Sequence, residues 1–376
     1  MSALLDTVDP DGKLEFSVVF TDRSLNHMSA KFQKVMLDIN EGLKEVYNAD
    51  GVAIVPGGGT YAMEAVARQF AAGQPCVIVR NGWFSFRWTQ ILDAGGFGGE
   101  ATVMRARQTG NETNAPFAPA PIEEVTARIH EDKPGVVFAP HVETSSGIIL
   151  PDDYIKALAA AAHEVGALMV LDCIASGCAW VDMKDTGVDV LISAPQKGWS
   201  STPCAGLVMM SERALARLEE TTSDSFSADL GKWRAIMAAY EGGGHAYHAT
   251  MPTDGLTAFR DTMAETRDYG FERLRDAQWE LGTKVRAALR LRGIASVAAE
   301  GYGAPGVVVS YTDDPGVQNG SKFGALGVQI AAGVPLQVGE PEGFSTFRLG
   351  LFGLDKLIDV DATVARLEAA LDKAIG

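Results

Sequence analysis

The 376-residue chain predicts an open α/β sheet with helices on both faces, seven-stranded and mostly parallel, followed by a smaller C-terminal α+β unit. Three observations carry that prediction. Seven short, mostly apolar runs alternate with helical patterns up to Met210, the layout of a sheet wound with connecting helices. The length exceeds one compact core, so a large domain with a smaller one is expected. Past about Thr222 the texture changes to long helical stretches with few strand patterns. The expected division is an N-terminal segment over 1–20, a large domain over 21–250 and a small domain over 251–376.

Taken in order, residues to about Glu15 are polar, and Phe16–Phe20 reads as a short strand. From Asn26 onward, Met28, Phe32, Val35, Met36, Ile39, Leu43 and Val46 recur on one helical face. Val52–Val55 is a strand closed by Pro56-Gly-Gly-Gly59, and a helix runs from about Thr60 to Ala72. Strands follow at Cys76–Val79, Ala101–Arg105, Val136–Pro140, Leu168–Asp172, Val188–Ser193 and Gly206–Met210. Helical patterns lie between most of them, at Trp83–Asp93, Ile122–His130, Pro151–Val165 and Glu212–Thr221. Leu230–Tyr240 reads as a helix broken by Glu241-Gly-Gly-Gly244, and one long helical stretch covers about Thr253–Arg292. Val307–Tyr311 and Thr346–Gly350 read as strands, with helices at Lys322–Gly327 and Asp359–Ile375.

Composition narrows the function classes. Hydrophobic content of 47% and charged content of 21% are ordinary for a globular protein. The net charge is −16 and no block of lysine or arginine stands out, which argues against a nucleic-acid or anionic-membrane surface. Cys76, Cys173, Cys178 and Cys204 lie in or beside apolar runs without a CxxC pattern, and no histidine spacing completes a metal site. They read as reduced core thiols of a cytoplasmic protein. Met1–Lys13 carries three aspartates and no apolar core, so no signal peptide is expected, and no run is long enough for a membrane span.

Ligands of open α/β sheets sit at the carboxyl ends of the strands. The first strand ends in a triple glycine and Thr60, either a backbone cradle for an anion or a tight strand–helix turn capped by Thr60. The second ends in Asn81-Gly-Trp-Phe84, where an aromatic ring either stacks on a flat ligand or fills core. The fourth ends in His141-Val-Glu-Thr-Ser-Ser-Gly147, a cluster of small hydroxyls. The fifth ends in Asp172, an aspartate whose burial needs a partner such as a pyridinium nitrogen. Pro195 stops the sixth strand and Lys197 follows, either a solvated turn residue or a desolvated amine suited to Schiff-base chemistry. The pair Asp172 and Lys197, brought to one crevice by adjacent strands, is the most specific of these signals.

Eight motifs in order resemble the class V aminotransferases, fold type I enzymes that use pyridoxal 5'-phosphate, and most closely their alanine–glyoxylate/serine–pyruvate branch. They are Asn26-His-Met-Ser29, Gly58-Gly59-Thr60, Asn81-Gly-Trp-Phe84, Glu143-Thr-Ser-Ser-Gly147, Leu171-Asp172, Gln196-Lys197, Tyr247-His-Ala-Thr250 and Phe347-Arg-Leu-Gly350. The resemblance implies that Lys197 binds the cofactor covalently, that Asp172 faces its ring nitrogen, and that Ile174 and Phe84 pack on its two faces, with Trp83 as the rival of Phe84. Ser145 and Gln196 are implied near the ring hydroxyl, and Gly58, Gly59 and Thr60 at the phosphate, Thr60 standing where relatives often carry histidine. Tyr247 and Thr250 are implied to reach the phosphate of a neighbouring subunit, so a homodimer with a shared active site is expected. Arg348 is implied to clamp the substrate α-carboxylate. The family's Gly-Pro-Gly-Pro opening is replaced by Phe20-Thr-Asp-Arg-Ser-Leu-Asn26, which makes Arg23 a candidate for a second acidic group of a substrate. The expected reaction moves an amino group from a small amino acid of the alanine or serine type to a 2-oxo acid such as glyoxylate or pyruvate. A lyase on the same scaffold (ammonia-lyase, decarboxylase or desulfurase) and a non-catalytic binding protein are the alternatives.

Overall fold

The structure, a computed structural model, describes residues 13–21 and 24–375. Seven strands form the main sheet: β1 (Gly51–Pro56), β2 (Cys76–Arg80), β3 (Ala101–Arg105), β4 (Val136–Pro140), β5 (Leu168–Asp172), β6 (Val190–Ser193) and β7 (Ala205–Met210). Their spatial order is β1-β7-β6-β5-β4-β2-β3. Strand β7 runs antiparallel to both of its neighbours, and every other adjacent pair is parallel. Six strands therefore point the same way and bring their carboxyl ends to one edge. The strands β2, β4, β5, β6 and β7 are buried along their whole length, which is why their sequences are continuous Val, Ile, Leu and Met rather than alternating. The edge strand β3 is half-exposed and includes Thr102 and Arg105.

The helices that flank this sheet are α1 (Ala30–Tyr47), α2 (Gly59–Phe70), α3 (Trp83–Gly95), α4 (Ile122–Asp132), α5 (Asp152–Glu164), α6 (Glu212–Glu220), α7 (Leu230–Glu241) and α8 (Thr253–Tyr269). The first is typical of how sequence sets them. Ser29 caps α1 by accepting from the Phe32 amide, and Phe32, Val35, Met36, Ile39 and Leu43 bury one stripe. The C-terminal unit holds α9 (Phe271–Leu291), α10 (Val360–Ala374) and a small antiparallel sheet of β8 (Val307–Tyr311), β9 (Ala331–Ala332) and β10 (Thr346–Gly350), with β10 in the middle. Leu256, Phe259 and Met263 of α8 belong to the main apolar core, whereas Leu274, Leu281, Val285 and Leu289 of α9 belong to a separate cluster with Val308, Phe347 and Leu371.

Four expectations about elements are corrected. Phe16–Phe20 forms no strand; Phe16 and Val18 point into solvent and find no sheet edge to join. Met28 stands before α1 and is exposed, because the helix begins after the Ser29 cap. The long stretch after Thr253 is two helices, broken at Gly270, whose φ of +102° lies where residues with a side chain are strained. The segment read as helical at Lys322–Gly327 is one turn, Ser321–Gly324, between positive-φ Gly320 and Gly327.

Candidate active site

Register places the two principal residues. Asp172 closes β5 level with Pro140 on β4 and Ile192 on β6. Lys197 follows the end of β6, so both side chains reach the sheet edge where the carboxyl ends gather. They line a cavity of about 230 Å³ together with Gly59, Thr60, Phe84 and Arg87. Ile174, Gln196 and Thr144 complete the part of the wall that bears on the chemistry.

Asp172 is 7% exposed, and its Oδ1 accepts from the Ile174 amide at 2.9 Å. No cation pairs with it among the described residues. Burial pushes its carboxyl up to about 7; the Ile174 amide opposes this, the negative charge of Glu143 adds to it, and Arg87 pulls the other way. Lys197 is half-buried with no ion pair among the described residues, and its Nζ lies 5.4 Å from the centre of the Phe352 ring. Burial, followed by the like charges of Arg348 and Arg87, lowers its pKa and favours the neutral amine.

The β1–α2 turn forms one wall. Gly57 has a φ of +121°, and Gly58 caps α2 without a side chain, so Thr60 is not the cap. A Cβ on Gly59 would stand 2.4 Å from Ile174 Cδ1, so glycine there lets the helix start lie against the loop after β5. The side chain of Gln196 completes this corner; its Oε1 is buried without a hydrogen-bond partner.

A fully buried carboxylate holds the start of α3. Glu143 Oε1 accepts from the Phe84 amide at 3.1 Å and from Ser145 Oγ at 2.7 Å, and Oε2 accepts from Ser85 N at 2.8 Å and Ser85 Oγ at 2.6 Å. The charge thus sits at a helix N-terminus, where it is favoured. Phe84 is thereby fixed over the cavity, while Trp83 turns away against Phe86 with ring centres 6.0 Å apart. Ser145 is taken into this lock, since its Oγ also accepts from the Trp83 amide at 2.8 Å and it has no exposed surface. The hydroxyl that faces the cavity is that of Thr144, one residue earlier than expected.

Arg348 comes from the other unit. It does not itself line the cavity; its Nε donates to Ala332 O at 2.8 Å, and its Cζ stands 5.7 Å from the centre of the Phe84 ring, which does. It has no carboxylate partner among the described residues. Tyr247 and Thr250 are bonded to each other at 3.1 Å, are exposed, and do not line the cavity of their own chain. Arg23 lies outside the described residues.

The group implied by the resemblance fits these residues. A buried aspartate without a cation suits a protonated ring nitrogen, and a lysine held towards its neutral form suits imine formation. The uncapped start of α2 suits a phosphate, and the unpartnered Gln196 Oε1 has a polar ligand atom to meet. Sequence reasoning missed Thr144, Glu143, Phe352 and Arg87. The last had a signal: Arg87 is three residues after Phe84, hence on the same face of α3.

Comparison with known proteins bears on the family and the fold. The family described as aminotransferase class-V matches residues 15–301. A soluble hydrogenase small subunit from Synechococcus sp. (strain PCC 6716) is 27% identical over 353 residues, 92% of this chain and 87% of that protein. The alanine–glyoxylate aminotransferase of Oryctolagus cuniculus is 26% identical over 372 residues, 93% of this chain and 86% of that one. The structure of an alanine–glyoxylate aminotransferase from Nostoc sp. superposes with a TM-score of 0.77 at 22% identity, covering 94% of this chain and 89% of its own; at that identity it speaks for the fold.

Proposed function

The chain belongs to the class V aminotransferases, and from that premise we propose that it transfers an amino group from a small amino acid of the alanine or serine type to glyoxylate or pyruvate. The family's cofactor is pyridoxal 5'-phosphate, which when bound supplies an electron sink for the bonds at the substrate α-carbon. The observation that carries the reading is the pairing, in one cavity, of a buried aspartate and a lysine, neither of which has a counter-ion among the described residues.

Each residue has a task that follows from its surroundings. Asp172 holds a proton on the ring nitrogen by pairing with it, which relieves the cost of its own burial. Lys197 would hold the cofactor through Nζ and, with the substrate amine in its place, would accept the proton from the substrate α-carbon at the same nitrogen. Burial and the like charges of Arg348 and Arg87 lower its pKa, which favours the neutral amine that can accept that proton. Arg348 binds the α-carboxylate with a planar fork suited to it. Ile174 and Phe84 pack on the cofactor ring, and Gln196 and Thr144 serve its polar edge. Gly58, Gly59 and Thr60 present backbone amides to the phosphate.

The homodimer belongs to the same reading. Tyr247 and Thr250 are exposed and away from their own cavity, as residues that serve a partner's phosphate must be. A cytoplasmic setting is consistent with four free, buried cysteines. The same burial withholds the exposed thiol that a desulfurase needs. The test is product analysis: alanine or serine with glyoxylate should yield glycine and a stoichiometric 2-oxo acid. Release of ammonia in place of amino transfer would sink the reading.

A further inference from the structure

Resting on the cofactor assignment above, we propose that Arg87 is a phosphate-binding residue of this chain, acting together with Thr60 and the first turn of α2. Arg87 Nη1 donates to Thr60 Oγ1 at 3.0 Å, and its Cζ lies 4.7 Å from the centre of the Phe84 ring. The guanidinium therefore bridges the starts of α2 and α3 and lines the cavity at the glycine turn. It forms no ion pair among the described residues. A partly exposed guanidinium with no carboxylate beside it among the described residues keeps N–H groups open to a bound anion.

The two nearby acids do not serve. Glu143 is filled by backbone and hydroxyl donors from Phe84, Ser85 and Ser145. Asp172 accepts from the Ile174 amide and feels Arg87 only through space. Because Gly58 offers no side-chain cap, the first amides of α2 stay free to point at an anion. Thr60 Oγ1 is occupied as an acceptor by Arg87, so its own hydroxyl proton remains to be donated. The remaining N–H groups of the Arg87 fork match phosphate oxygens in the same way. A substrate carboxylate is the competing anion, and Arg348, bonded to Ala332 on the small sheet, is the guanidinium placed for it.

The experiment compares binding of pyridoxal 5'-phosphate and of phosphate-free pyridoxal to cofactor-depleted protein, followed by visible absorbance. Arg87→Gln should weaken the phosphorylated form about ten- to a hundredfold, as loss of a charge-assisted contact does, and leave pyridoxal within about twofold. Arg87→Lys should recover part of the loss. An equal loss for both ligands would overturn the proposal, since it would mark a merely structural role. So would unchanged cofactor affinity with a raised KM for the amino donor, which would move Arg87 to the substrate carboxylate. Wild-type protein that binds neither form would instead bring down the cofactor assignment on which the proposal stands.

Discussion

Among the described residues, Asp172 and Lys197 each lack the partner that would make their burial cheap, and the sequence could say this only in part. A lysine after Pro195 and an aspartate closing an apolar strand were visible, whereas their missing counter-ions depend on what the fold leaves out of the cavity. Lys197→Ala should abolish the visible absorbance of the bound cofactor and lower transamination at least about a thousandfold, measured as 2-oxo acid formation. Arg348→Leu should raise KM for the amino donor about ten- to a hundredfold with cofactor still bound. Asp172 makes a prediction about pH. Its carboxyl is raised from the ordinary 3.8 to about 7, so its protonated form is the one that suits the folded, cofactor-free protein. The stability it contributes is full below the ordinary value and is lost as pH rises through about 7, on the order of 4 kcal/mol at most. The cofactor-free wild type should therefore lose Tm relative to Asp172→Asn between pH 4 and pH 8. A constant difference across that range would contradict it. Ser145 and Thr144 show where residue-level reading ran out. Both hydroxyls belong to one motif, and only the turn after β4 decides which faces the cavity and which locks Glu143.

At the scale of elements, the interior strands were legible because burial on both faces demands mostly apolar runs, a pattern that survives any detail of packing, while the half-exposed edge strand β3 keeps Thr102 and Arg105. What was not legible depends on partners. Phe16–Phe20 has strand-like composition, but a strand exists only against another, and no edge is offered to it. The α8–α9 break was hidden because both helices carry the same periodicity, and Gly270 alone records the turn through its φ of +102°. Gly270→Ala should cost about 1–3 kcal/mol in denaturant unfolding, the range for strained backbone. Gly59→Ala is a different case. Its Cβ would collide with Ile174 Cδ1, so either the Ile174 side chain or the start of α2 must shift at the cavity wall, and cofactor affinity should fall. Unaltered affinity in that variant would show that the turn does not seat the phosphate.

For the whole molecule, Asp172 and Lys197 line the cavity from the sheet edge, and Arg348 of β10 stands beside it, 5.7 Å from the Phe84 ring centre. The order of the motifs along the chain was readable, but the convergence of residues far apart in sequence is a product of topology. A homodimer that shares its sites predicts that Tyr247→Phe loosens the cofactor without touching its own cavity, and that a monomer would hold it poorly. Sedimentation of the holoprotein beside a cofactor-retention assay decides that point. The central claim, amino transfer, is tested most directly by the half-reaction. Purified holoprotein is given one amino acid at a time with no acceptor, while visible absorbance and released products are followed. Transamination predicts that the cofactor band is lost with about one 2-oxo acid released per subunit and no ammonia. A band that persists through turnover, with ammonia or another fragment released, would contradict it.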